Sequence, residues 1–490
     1  MGKLTTIFKD TAIYGLSSII GRFLNYLLVP LYTAQFSAAS GGYGIITNIY
    51  AYVALVMVLL TFGMETTYFR FTNKTHTDSQ TVYGTTLITV GSVALMFTVL
   101  VLVLLSPISS LMGYGDHSEY VGVMAVTVAI DAFLCIPFAH LRQQRKAVKF
   151  AALKLLNIVV TILLNLTYFY WMDGKDVGYV FYINLACTVM LAVCLVTEYT
   201  GFRWLLDKQL LRTMLSYSWP ILVLGIAGIL NQTADKMLFP YIYEGSDMRQ
   251  QLGIYGACSK IAMIMAMITQ AFRFAYEPIV FAGVKDKDQH EMYEKAMKYF
   301  VIFTLLAFLI VVGYLELLKY IVRNPDYWVG LKVVPIVMAA EIMMGVYFNL
   351  SFWYKIIDKT IWGAIFSGIG CAVLLAVNII FVPKYGYMAC AWGGFAGYGV
   401  AMLTSYFVGQ KYYPLNYPLK EISFYVVLAF ILYGLMRAAS DWPVIASLAF
   451  NTLLIAGFTA VIIWRDLPLA SLPIVGKYFR KPNYKIKQTL

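Results

Sequence analysis

Ten ionisable residues of this chain fall inside long apolar segments: Arg22, Glu65, Asp131, Lys154, Asp235, Lys236, Lys260, Arg273, Glu277 and Glu341. Five are basic and five acidic. A charge at the centre of a bilayer costs roughly 2.5–3.5 kcal/mol on insertion scales, so ten of them facing lipid would be prohibitive. Such residues line a hydrated path or pair with one another. Lys154 lies nearer the end of its segment and reads as a side chain that snorkels to the interface.

Spacing sorts the set. Arg273 and Glu277 are four apart and share a helix face, where they neutralise each other. Asn231 and Asp235 share one face, Gln232 and Lys236 another, and Ser18, Arg22 and Asn25 form a polar stripe. A duplication runs beneath these positions. Residues 43–69 and 255–281 align without a gap at Tyr43/Tyr255, Gly44/Gly256, Ile49/Ile261, Ala54/Ala266, Phe62/Phe274, Glu65/Glu277 and Phe69/Phe281. Apolar composition does not readily place a Tyr-Gly pair and a carboxylate in one register. Asp131 and Glu341 follow nearly the same offset. Thr61 aligns with Arg273, so Glu65 lacks the same-face arginine of Glu277 and is the better candidate for ion coupling.

The elements that position these charges follow from composition. The 490 residues are 60% hydrophobic and 13% charged, against about a quarter charged in soluble domains. Mean hydropathy is +0.72. Apolar runs of about 20 residues indicate membrane helices, and their lack of period-2 alternation disfavours an outer-membrane barrel. Fourteen spans are expected, near 10–34, 43–69, 82–110, 118–141, 149–171, 177–199, 213–241, 252–282, 297–318, 328–353, 360–382, 386–409, 421–438 and 443–464. With both termini in the cytoplasm, 25 of the 37 Lys and Arg fall on the inner side and seven on the outer, as the positive-inside rule requires. The +12 net charge therefore needs no nucleic-acid partner, and it favours anionic membrane lipid.

Other chemistry finds little support. The six cysteines sit in apolar runs without a CxxC pair, the four histidines are scattered, and no metal or other cofactor is expected. No glycine-rich phosphate loop follows a strand. The GxxxG of Gly393–Gly397 reads as close helix packing. No cleavable signal peptide is expected. Connections are too short to house a soluble domain, so the work of the protein is done within the membrane.

The order of several motifs resembles the polysaccharide-exporter branch of the multidrug/oligosaccharidyl-lipid/polysaccharide exporter superfamily. These are Gly21–Thr33 with Tyr43-Gly44, Phe62-Gly63-Met64-Glu65 through Phe69-Arg70-Phe71, and Asp235-Lys236 before Gly253-Ile254-Tyr255-Gly256. Ala271-Phe272-Arg273 through Pro278 and Asn378 through Tyr387 continue the likeness over nearly the whole chain. The resemblance implies an all-α polytopic membrane protein with two six-helix bundles, here 1–200 and 213–410, around a central cavity. Two further helices at 420–465 and a basic cytoplasmic tail at 466–490 complete it. It implies a flippase that carries an undecaprenyl-diphosphate-linked oligosaccharide from the inner to the outer leaflet of the bacterial inner membrane. The pathway is surface polysaccharide synthesis, lipopolysaccharide O-antigen or capsule, and other glycan-assembly membrane proteins are possible partners. On this reading Arg22, Lys236, Lys260 and Arg273 hold the diphosphate. Glu65, Asp131, Asp235, Glu277 and Glu341 bind a coupling H⁺ or Na⁺ or compete for those cations.

Two other readings stay open. A multidrug or cation antiporter of the same superfamily would favour twelve spans and a mainly acidic cavity. A membrane glycosyltransferase or polymerase would need catalytic groups in sizeable outer loops, and the first outer loop, Gln35–Gly42, has no ionisable residue. The run of arginines typical of the related peptidoglycan-precursor flippases is not evident.

Overall fold

A computed structural model describes residues 26–73, 78–200, 206–282, 288–357 and 359–466. The described residues are helical throughout their apolar runs, since only internal hydrogen bonding satisfies the backbone in lipid. We number the principal helices α1 Leu28–Gln35, α2 Gly42–Thr72, α3 Ser79–Val103, α4 Ser118–Gln143, α5 Ala147–Leu166, α6 Gly178–Cys194 and α7 Lys208–Ile242. There follow α8 Met248–Ala282, α9 Asp288–Gly313, α10 Val334–Leu350, α11 Ile361–Tyr385, α12 Tyr387–Tyr412, α13 Leu419–Ala438 and α14 Val444–Arg465. Among the described residues, eleven helices are long and apolar enough to cross a membrane. The chain is an all-α multi-pass membrane protein. α6, with 17 residues, is shorter than a usual span.

Polar punctuation sets the helix limits. Asp78 accepts from the backbone N–H groups of Gln80 and Thr81 at 3.3 and 3.2 Å, capping α3. Asp207 caps α7 through Gln209 and Leu210 at 2.9 and 3.0 Å. Gly386, at φ +54°, turns the chain between α11 and α12. α2 breaks at Phe62-Gly63, where both residues have positive φ. A Cβ on Gly63 would lie 2.8 Å from Ile221, so the break also admits α7.

Contacts divide the chain into two compact units. The first holds the described residues up to Ala282 together with those of Lys319–Pro414. One of its cores joins Met64, Tyr68, Tyr83, Leu87 and Ile136 to Met214 of α7. Another gathers Tyr347, Trp353, Tyr354, Phe366 and Ala401. α11 and α12 cross through Gly370 and Gly397, each of which would place a Cβ within 2.8 Å of the other's carbonyl oxygen. The GxxxG is therefore a packing device.

The second unit comprises the described residues within 288–318 and 415–466, so α9 sorts with α13 and α14. Its helices are tied by charge. Lys298 of α9 pairs with both Glu421 and Asp466, and the Tyr425 hydroxyl donates to the other Asp466 oxygen. Asn451 donates to the Gly313 carbonyl at 2.9 Å. Burial alone would push the Asp466 carboxyl up, but hydrogen bonds from Lys298 and Tyr425 hold it below the usual range. A depressed carboxyl adds stability above its unfolded pKa and loses it as pH falls through the folded one. Tyr425→Phe is expected to weaken this unit by about 2 kcal/mol, the value of a hydrogen bond to a charged group. It should also move the onset of acid destabilisation to higher pH. Hydrogen exchange in α9, α13 and α14 as a function of pH checks both effects.

Candidate functional site

Seven of the ten charges read from the sequence fall into two groups within the first unit. In the first group Glu65, just past the break in α2, pairs with Arg142 at the end of α4. The Arg142 guanidinium lies 5.0 Å from the Phe69 ring and 5.7 Å from Phe150. The Cys135 thiol reaches Glu65 at 3.6 Å. Asp131 accepts from Thr188 of α6 at 3.1 Å and lies within electrostatic reach of Lys154. The Lys154 ammonium sits 4.0 Å from the Phe138 ring centre. Glu65 thus has a cross-helix partner, supplied by an arginine just beyond the fourth expected span, 118–141.

The second group centres on α7. Lys236 holds both oxygens of Asp235 at 3.1 and 3.2 Å, and Tyr255 of α8 donates to the same carboxylate at 2.7 Å. Lys260 and Glu341 both lie within electrostatic reach of Lys236. Arg273 is apart. It is 13 residues beyond Lys260, roughly 20 Å along α8, with its guanidinium 4.2 Å from the Phe348 ring. Arg22 and the side chain of Glu277 lie outside the described residues. Lys154, Lys236, Lys260, Arg273, Glu65, Asp131 and Glu341 are all half-buried. That exposure suits groups that exchange partners, whereas Asp235 is only 6% exposed.

Between the groups, α2 and α8 meet at the end of the unit that carries Tyr43. A Cβ on Gly44 would lie 2.0 Å from the Arg249 carbonyl oxygen, and one on Gly253 would lie 3.0 Å from the Gly44 nitrogen. A Cβ on Gly256 would lie 2.2 Å from the Thr47 hydroxyl. Polar links surround the contact. Asn48 donates to the Lys236 carbonyl at 2.8 Å and accepts from Tyr114 at 2.8 Å. Tyr52 donates to the Met237 carbonyl at 3.2 Å, and Tyr327 to the Phe36 carbonyl at 2.9 Å. Arg249 donates to the Gly113 carbonyl at 3.0 Å. Tyr43 packs edge-on against Tyr327, with ring centres 6.1 Å apart. Both duplicated Tyr-Gly pairs therefore sit at one interface. Asn48, Thr47 and Tyr114 escaped the sequence reading because an asparagine, threonine or tyrosine near a helix end carries no distinguishing pattern.

Residues 40–324, more than half of the chain, match the family described as polysaccharide biosynthesis protein. The chain belongs to this family. Among solved structures, this polysaccharide biosynthesis family member is similar to the lipid II flippase MurJ in an inward closed conformation. The TM-score is 0.73 at 13% identity, covering 94% of this chain and 99% of that one. It is also similar to a multidrug resistance MATE family transporter of the MOP superfamily in an inward-facing conformation, with TM-score 0.63 and 14% identity. That match covers 82% of this chain and 94% of the other. At such identities the likeness speaks to fold. A search of curated proteins finds no match. Family and fold together describe a polysaccharide biosynthesis protein built on the fold that these flippase and transporter structures share.

Proposed function

We propose that this polysaccharide biosynthesis transporter is a flippase for an undecaprenyl-diphosphate-linked oligosaccharide. It moves the head group from the inner to the outer leaflet of the bacterial cytoplasmic membrane for O-antigen or capsule synthesis. The observation that carries the reading is the set of basic side chains within apolar helices, Lys236, Lys260 and Arg273, in a member of this family. A sugar diphosphate needs a wet path and cationic partners but no covalent step. Fourteen spans follow on this reading, with both termini cytoplasmic. The halves 1–200 and 213–410 rock about a central cavity, with 420–465 and the basic tail outside them. On that orientation the Tyr43 end faces the exterior and the Arg142 end the cytoplasm. Arg22, Lys236, Lys260 and Arg273 receive the diphosphate. Of the acids Glu65, Asp131, Asp235, Glu277 and Glu341, Asp131 and Glu341 are now favoured over Glu65 as the site of a coupling H⁺ or Na⁺. Glu65 is already neutralised by Arg142. Lipid and other glycan-assembly membrane proteins remain the partners expected.

A multidrug or cation antiporter is the second reading, favoured by the likeness to MATE transporters. Liposomes holding the purified protein separate the two. A lipid-linked oligosaccharide should become accessible on the far leaflet, faster with a proton or sodium gradient. Gradient-driven efflux of organic cations without lipid movement would overturn the flippase reading.

A further inference from the structure

The duplicated Tyr-Gly motif does two jobs at its second copy. Gly256 rests on Thr47, while the hydroxyl of the preceding residue, Tyr255, is bonded to Asp235 at 2.7 Å. The residue after Asp235 is Lys236, whose carbonyl accepts from Asn48, the residue after Thr47, at 2.8 Å. Two neighbouring residues of α2 are thus held by two different helices, Thr47 by α8 and Asn48 by α7. The Tyr255–Asp235 bond fixes the gap between those helices. Tyr255 and Asp235 are both buried, and the Lys236 ammonium closes the cluster from the half-buried side.

The stagger of the contact fits such a device. The repeat aligns Gly44 with Gly256, an offset of 212, yet Thr47 meets Gly256, an offset of 209. The two copies are displaced by nearly one helical turn, so Gly44 faces Gly253 and not its repeat partner Gly256. Each lets the opposite backbone or side chain approach closely, and the hydrogen bonds beside the contact help to hold the two helices together.

We propose that Tyr255 is a positioning residue that couples the Asp235–Lys236 pair to closure of the α2–α8 contact at the Tyr43 end. Loosening of the pair lets α7 and α8 part, and Thr47 and Asn48 lose their seats together. The proposal rests on the alternating-access reading for its purpose, while its geometry stands independently of the substrate.

Hydrogen exchange on the full-length protein in detergent, without substrate, tests it. Tyr255→Phe is expected to speed exchange about tenfold in both 42–49 and 249–257, the opening expected from loss of one hydrogen bond to a carboxylate. Asp235→Asn should act on the same two segments, and the double variant should add little to either single one. Tyr32→Phe removes another buried hydroxyl, bonded at 2.7 Å to Asn165, and should leave 249–257 unchanged. An unchanged rate in 42–49 for a Tyr255→Phe protein that remains monodisperse overturns the coupling. So does full additivity with Asp235→Asn. These readouts involve no lipid-linked oligosaccharide. Failure to move that lipid in liposomes, with the exchange pattern intact, would instead count against the flippase reading.

Discussion

Gly44→Val is expected to lower transport by about 100-fold while leaving the protein in the membrane. The first added atom decides the matter. A Cβ at this position would lie 2.0 Å from the Arg249 carbonyl oxygen, 2.9 Å from its carbon and 3.2 Å from the Gly253 nitrogen. All three are backbone atoms of α8, which do not swing aside as a side-chain end does. Overpacking costs roughly 1–3 kcal/mol, and more where backbone must shift. At about 3 kcal/mol the closed arrangement loses more than 100-fold in population. A helix contact at one end of the bundle is not needed for insertion, so abundance in the membrane should hold. Gly228→Ala is the matched control, because a Cβ there meets nothing within 4 Å. Surface glycan and membrane abundance measured side by side check the expectation. Wild-type glycan from Gly44→Val would show that closure at this contact is not part of transport.

The helices were legible in the sequence because apolar length is what a bilayer demands, and most expected spans coincide with described helices. The break at Phe62-Gly63 was not, since a Gly inside an apolar run signals packing as readily as a change of direction. The grouping of α9 with α13 and α14 was equally hidden. It depends on Lys298 meeting Glu421 and Asp466, residues more than a hundred positions away whose types alone suggest ordinary interfacial charge. The candidate site shows the same division. Asp235 and Lys236 were visible because charge at membrane depth stands out, and their contact with each other is local. The partner of Glu65 was not visible, because Arg142 follows the apolar run of α4 and counts as a loop residue until α2 and α4 are packed. The Tyr-Gly repeat was visible as a duplication. Its packing role was not, because a glycine contact depends on which backbone comes near.

Arg273→Ala is expected to reduce movement of a lipid-linked oligosaccharide by about 100-fold, with protein levels unchanged. Arg273 lies roughly 20 Å along α8 from Lys260, so on the proposed flippase reading a diphosphate moving along that helix would meet the two in sequence. Its guanidinium, 4.2 Å from the Phe348 ring centre, is oriented by that aromatic face. A planar fork bonds two phosphate oxygens at once, whereas an ammonium acts as a point charge. Arg273→Lys should therefore keep part of the activity, about tenfold below the unaltered protein, if charge and fork both contribute. Equal losses in the Lys and Ala variants would mean that two-pronged geometry dominates. Arg22→Ala should be similarly defective. The double variant Arg22→Ala/Arg273→Ala should be less than additive if both residues engage one diphosphate, because groups acting on a shared partner are coupled. Normal surface glycan in both single variants, at normal abundance, would remove these two arginines from the substrate path. The cationic role would then fall to Lys236 and Lys260, which lie within electrostatic reach of each other.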